Sequence, residues 1–304
     1  VTANPGAGID TRRGGSLPVR HAPVAASRWS AGIRAWRWPA NLRVDPLGLI
    51  GVVLLLVVWH LLTYVVPRFS LPTPWSVAAR IGHDFLLAPE LSSYGLPATG
   101  LWSSIVFTGT NVLVAVAVGS VVGTIGGLVT ARFDLARAVL DPILLTMGTI
   151  PILVLAPFFL IWFGVGRASA VLLVAIYVAV ILYVFAQRAA DNLDPVYEES
   201  AYTLGATSGR VIRDVLIPGT VPQILGGIRI ALAGAWGLEA IAELLGAQHG
   251  IGKIVQVLAG ATDVEGIFAA LLVLGIAAVL FDALAALLFS YLAGWSVAAR
   301  AGEG

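Results

Sequence analysis

The chain has 304 residues, 58% of them hydrophobic and 12% charged, with a net charge of +1 and no cysteine. So little polar surface cannot coat a soluble core of this size, and lipid is the solvent for most of the chain. Disulfides, thiolate metal sites and cysteine nucleophiles are excluded, and the overall charge offers no attraction for nucleic acid.

Residues 1–45 are rich in Gly, Pro, Ala and Arg and hold no long apolar run, so they read as a basic tail, partly disordered. Within it, Trp29, Ile33 and Trp36 recur at helical spacing beside Arg28, Arg34 and Arg37. That pattern fits a short helix on the membrane surface or a flexible arginine-bearing tail. The first apolar run opens near Leu47 and is too long for a signal-peptide core, which makes it an anchor that stays.

Six apolar segments follow, near Leu47–Val66, Ser104–Thr130, Ala138–Phe163, Ala168–Phe185, Ile224–Leu245 and Gly266–Leu292. Each approaches the ~20 residues that a helical crossing needs. Continuous rather than alternating apolar runs predict an all-α membrane protein of six transmembrane helices, not a barrel. Leu71–Gly100 is too polar to span. Gly119, Gly123, Gly126 and Gly127 predict close helix–helix approach along the second span, and Pro151 and Pro157 predict a break in the third. With the N-terminus inside, fourteen of the eighteen basic residues fall on the cytoplasmic side, leaving Arg68, Arg80, Arg167 and Lys253 outside. The membrane domain runs over residues 46–299, and 300–304 form a cytoplasmic C-terminal tail.

The loop at about 191–222 is then cytoplasmic. Asp194-Pro195 reads as a helix start, Glu198 and Glu199 suit its first turns, and Gly205 stops it. Thr207 or Ser208 is expected to cap a second short helix through Arg213, which Pro218 closes. Two short helices so placed serve as structure or as a docking surface.

Among ionisable groups inside the spans, Glu239 and Glu243 share one helix face four residues apart. With Asn111 they are candidates for the translocation path; Glu243 is equally a candidate anchor for the outer loop around Gly250. Asp141-Pro142 suggests a helix cap, Asp282 a packing or pairing role, and His60 an interhelical hydrogen bond. No catalytic set or acidic or histidine metal cluster is visible. The lone lysine, Lys253, lacks the glycine and Ser/Thr context of a phosphate-cradling loop.

The cytoplasmic loop resembles the signature loop of binding-protein-dependent ABC permeases: Glu-Ala-Ala, a Gly six residues after the Glu, then Ile-x-Leu-Pro. Here these are Glu199-Ser200-Ala201, Gly205, and Val215-Leu216-Ile217-Pro218, with Ser, Val and Ile as departures. Leu71-Pro72-Thr73-Pro74, Ile150-Pro151, Trp162-Phe163-Gly164, Gly226-Gly227-Ile228-Arg229 and Gly250-Ile251-Gly252 resemble the nitrate/sulfonate/taurine-type branch. The resemblance implies a type I importer permease fold in a bacterial inner membrane, both termini cytoplasmic. It also implies a homodimer, two cytoplasmic ATPase subunits that bind ATP and Mg, and an extracytoplasmic solute-binding protein. Onto the coupling helix it carries Glu199, Ala201, Leu204, Gly205, Ala206, Arg210 and Pro218. The competing reading is an ATP-independent carrier or channel that couples protons through Glu239 and Glu243.

Overall fold

The computed structural model describes residues 46–67 and 69–292. The expected tail helix around Arg28–Arg43, the C-terminal tail, Arg68 and Arg300 lie outside the described residues. One compact unit ends at Val52 and a second begins at Val53, so the division falls inside the first helix, α1 (Pro46–Leu62).

Within the second unit, the polar stretch after α1 folds as two surface helices, α2 (Pro74–Asp84) and α3 (Pro89–Ser93). The Leu-Pro-Thr-Pro run explains the first. Thr73 accepts the Ser76 N–H on its side-chain oxygen at 3.1 Å, and Pro74 fills a first-turn position where an N–H has no partner anyway. Trp59 of α1 donates its indole N–H to the Pro72 carbonyl at 3.0 Å and lies against Phe268, which fixes the entry to this segment.

Among the described residues, four helical runs are long and apolar enough to cross a membrane alone: α4 (Leu101–Arg132), α7 (Arg167–Asp191), the run Ser208–Gly246 and α12 (Val264–Leu292). Between the first two lie α5 (Asp134–Thr149) and α6 (Ala156–Phe163), joined through a 3-10 turn at Ile152–Leu155. Together they amount to a fifth span, bent by 93°. The bend has a local cause: Pro151 excludes helical geometry at the preceding residue, and Ile150 is extended at φ −78°, ψ 125°. The break expected at Pro151 is therefore present. Six crossings require α1 as well, and its 17 residues are short of a full span.

The core is a sandwich of α4, α7 and α10 (Ile217–Gly246). Val112, Ala115 and Val116 meet Val174, Val178 and Leu182, with Ala231, Leu232, Ala235 and Trp236 closing the third side. Small residues permit this. A Cβ added at Gly119, Gly123 or Gly127 would stand 2.5, 2.3 or 2.4 Å from the carbonyl oxygens of Ala175, Ala179 and Tyr183. The two backbones touch along two full turns, giving the dispersion contact that holds helices together in lipid, where no hydrophobic drive exists. Gly126 is off this seam: a Cβ added there would stand at an ordinary 3.4 Å from the Tyr183 ring.

Polar side chains then brace the bundle. Gln187 donates to Asp141 at 2.8 Å and to Thr130 at 3.1 Å, and Tyr183 also donates to Asp141. Asp141 lies inside α5 and so does not cap it; the helix opens after Phe133. Asp282 pairs with Arg229 through both oxygens, at 3.0 and 2.6 Å, which ties α12 to α10 as the pairing role anticipated. His60 finds its partner within its own segment, the Tyr64 hydroxyl at 3.3 Å, rather than across helices.

Replacing Gly123 with Val is expected to cost on the order of 1–3 kcal/mol or more, because α4 and α7 must part. Gly226 has nothing within 4 Å of an added Cβ, so Gly226→Ala should be neutral or stabilising by up to ~1 kcal/mol. Thermal unfolding of the two variants in detergent, compared with the parent chain, checks both.

Candidate coupling elbow and membrane-buried acids

Two short helices build the elbow between α7 and α10: α8 (Pro195–Thr203) and α9 (Ser208–Val211). Asp194 caps α8 by accepting the Val196 N–H at 3.0 Å, with Pro195 in the first turn. At the far end the Ala206 N–H returns to the Ala201 carbonyl at 3.0 Å, and the Gly205 N–H to the Tyr202 carbonyl at 2.9 Å. This is a Schellman closure, and it needs the left-handed backbone that Gly205 adopts at φ +83°. Ala201, Gly205 and Ala206 thus shape the turn. Leu204 projects from it, 88% exposed, with Val196, Tyr197 and Tyr202 also exposed nearby. Glu199 and Arg210 face solvent.

The second half of the elbow differs from expectation. Thr207 holds the N-cap position of α9 but makes no side-chain capping bond. Pro218 does not close the unit: α9 passes through a π-helical turn, Ile212–Leu216, directly into α10. The Ile217 N–H reaches back five residues to the Ile212 carbonyl. Widening the helix there accommodates a proline that has no N–H to offer and whose ring would strike the carbonyl of a regular preceding turn.

Arg132, the last residue of α4, grips α8. Its guanidinium donates to Glu198 at 2.8 Å and to the Tyr202 hydroxyl at 3.0 Å. A second arginine, Arg137 of α5, pairs with Asp191 at the end of α7. Neither contact was foreseen, since the partners stand 66 and 54 residues apart in the chain.

At the opposite end of the bundle, Glu243 is fully buried and acts as an anchor. The Thr108 hydroxyl lies 2.8 and 2.9 Å from its two oxygens, and the Gly252 N–H donates to it at 3.0 Å. Thr108 in turn accepts the Ile251 N–H at 3.0 Å. These bonds satisfy the first free N–H groups of α11 (Ile251–Gly260), a helix the sequence reading treated as loop. Gly250 lets the carboxylate come so close: it has φ +104°, and a Cβ would stand 2.2 Å from the Glu243 carboxyl carbon. Glu239 and Asn111 are likewise fully buried, next to one another between α10 and α4, but none of their side-chain polar atoms makes a hydrogen bond of good geometry. In this conformation none of the three path candidates reaches a surface.

Beside α11 opens a cleft of about 90 Å³, lined among others by Ser103, Ser104, Phe107, Gln248, His249 and Lys253 and by no carboxylate. Arg167 lies over the Phe107 ring at 5.6 Å. On the same end, Arg80 pairs with Asp84 at 2.5 Å, Glu90 at 2.8 Å and Asp263 at 3.1 Å, fastening α2 and α3 to the start of α12. Burial alone would lower the Arg80 pKa, but the hydrogen bond to Asp84 and the three carboxylate charges hold it above its ordinary value. Among the described residues no cluster of metal-ligating side chains occurs.

The family model for the inner membrane component of binding-protein-dependent transport systems matches residues 119–295, across the seam, the elbow and the buried acids. The chain belongs to this family. It is a multi-pass permease of the ABC importer class, not an enzyme. It is 29% identical over 250 residues to the taurine transport system permease protein TauC of Escherichia coli, covering 81% of this chain and 88% of that one. With the putative aliphatic sulfonates transport permease protein SsuC of Bacillus subtilis it shares 27% identity over 283 residues, covering 92% and 95%. The fold matches that of a chain from the inward-facing MetNI methionine ABC transporter, with a TM-score of 0.55 at 22% identity, covering 63% of this permease and 95% of that chain.

Glu243→Ala would leave the Gly252 N–H of the permease buried without an acceptor, at a cost of about 1–3 kcal/mol, while the Thr108 hydroxyl keeps the Ser104 carbonyl at 3.1 Å. Thr108→Val should destabilise for the same reason. The double variant is expected to lose clearly less than the sum of the two, a non-additivity read from unfolding midpoints in detergent.

Proposed function

We propose that two copies of this permease form the path for a small solute delivered by an extracytoplasmic binding protein, and that two separate ATPase subunits dock on the α8 elbows. ATP and Mg belong, in this reading, to those partners, since the permease sequence offers no phosphate-cradling loop. The observation that carries the reading is the elbow itself. A rigidly closed turn holds Leu204, Val196 and Tyr197 out to solvent at a polar end of the bundle. Apolar groups so displayed cost free energy unless a partner covers them. Leu204 is the contact knob; Ala201, Gly205 and Ala206 set its direction; Glu199 and Arg210 supply flanking charge; Pro218 holds the junction with α10.

Orientation follows from basic residues. Among the described residues, the elbow end carries Arg132, Arg137, Arg188, Arg210 and Arg213, the α11 end Arg80, Arg167 and Lys253. That bias supports a cytoplasmic elbow in a bacterial inner membrane, with both termini on the same side when α1 and the bent α5–α6 pair each count as crossings. For the solute, relatives named for taurine and aliphatic sulfonates and the carboxylate-free cleft beside α11 favour a small sulfonate-like anion. Glu243 is assigned to positioning α11. Asn111 and Glu239 are assigned to the path only in a conformation that parts α4 from α10.

Leu204→Asp or Glu199→Lys should leave membrane insertion intact while reducing permease-bound ATPase, and ATP-driven uptake, by about tenfold or more. Gly205→Pro should do the same by destroying the turn. Co-purification with the ATPase and vanadate-sensitive uptake in proteoliposomes are the measurements. Unchanged binding and uptake in all three variants, or uptake driven by a pH gradient and indifferent to vanadate, would overturn the assignment in favour of an ATP-independent carrier.

A further inference from the structure

Among the described residues, Arg132 of α4 is the side chain of a neighbouring span seen to hydrogen-bond to α8. Arg132 reaches Glu198 and Tyr202, which stand four residues apart and therefore on one face of α8. α8 also packs on α9 and on the π-helical turn that follows it. Two acceptors on a planar guanidinium fix the direction of the helix as well as its distance, as a single contact could not. Both ends of the ion pair are about three-quarters buried, with side-chain exposures of 26% and 24%. Behind Arg132, α4 is not free to move alone. Its contacts through Gly119, Gly123 and Gly127 reach the backbone of α7, so that a push at residue 132 is a push on both helices.

From this geometry we infer that Arg132 is the positioning residue that delivers displacement of α8 to α4 and α7 together, separately from the docking of the ATPase. The inference rests on the reading that α8 is where the ATPase engages. Docking uses the exposed face around Leu204; transmission uses the face carrying Glu198 and Tyr202. The two functions lie on different surfaces of one short helix and can be broken independently.

The absence of cysteine in the sequence makes the test direct. Spin labels are placed at Val121→Cys on α4 and Leu284→Cys on α12, both exposed, in the permease assembled with its ATPase. A second pair, Ser208→Cys with Leu284→Cys, reports on the elbow. Distances are measured with and without ATP plus vanadate, which needs no knowledge of the solute. In the otherwise unaltered permease both pairs should shift. In Arg132→Ala the elbow pair should still shift and ATP should still be hydrolysed, while the shift of the α4 pair falls about fivefold or more. The exchange Arg132→Glu with Glu198→Arg should recover most of it, and Arg132→Lys only part.

A full α4 shift in Arg132→Ala overturns the inference. So does failure of the exchange to restore the shift, or loss of the elbow shift itself, which would make Arg132 a docking residue. If Arg132→Ala does not reach the membrane, Glu198→Gln combined with Tyr202→Phe removes the same grip from the other side, with the same outcomes expected. An elbow pair that never responds to nucleotide, even with Arg132 present, sinks the docking reading and this inference with it.

Discussion

In a bilayer, two helices gain nothing from hiding apolar side chains from each other, because lipid tails serve equally well. What they gain is close contact, and contact at backbone distance is open only where side chains vanish. Gly119, Gly123 and Gly127 supply that condition on one face of α4, and the carbonyls of Ala175, Ala179 and Tyr183 fill it from α7. Everything else is arranged around this pair. α10 closes the third side through Ala231, Ala235 and Trp236, α12 is attached by the Arg229–Asp282 pair, and most of its own surface is left to lipid.

The two ends of the seam carry opposite kinds of polar chemistry. Toward α11, a carboxylate is enclosed completely, which is tolerable because its oxygens meet a hydroxyl and a helix-terminal N–H. That end is stitched tightly: Glu243, Thr108 and the Arg80 cluster connect α2, α3, α4, α10, α11 and α12. Toward the elbow the contacts are partly exposed ion pairs, Arg132 with Glu198 and Arg137 with Asp191. Such pairs set geometry while adding less stability than an enclosed network. A fixed end and a yielding end are what a lever requires.

Much of this was legible in the sequence, for physical reasons that differ by residue. Local chemistry read correctly: Asp194-Pro195 started a helix, Gly205 ended one, and Pro151 broke one. Each depends on a backbone property carried by one or two residues. Glycine spacing in α4 foretold close approach but not its partner, since α7 meets that seam largely with backbone atoms, beside Val178 and Ala186, which leave no spacing signature. Helix α11 was missed because ten residues with buried Ile251, Ile254 and Leu258 make a short signal, and its start is capped by a carboxylate from another helix. The Arg132 grip and the Arg80 cluster join residues up to 183 positions apart, a relation that no spacing rule encodes. At Pro218 the local rule misled, because a π-helical turn absorbed what was read as a stop.

That turn has a geometric consequence for the elbow. A regular helix advances about 100° per residue, so one surplus residue between Val211 and Ile217 rotates all that precedes it by roughly that angle relative to α10. The azimuth of Leu204 around the long helix is therefore set by a single extra peptide. Were Ile212–Leu216 to relax into ordinary winding, the knob would swing through more than a quarter of a circle without any movement of the span beneath it.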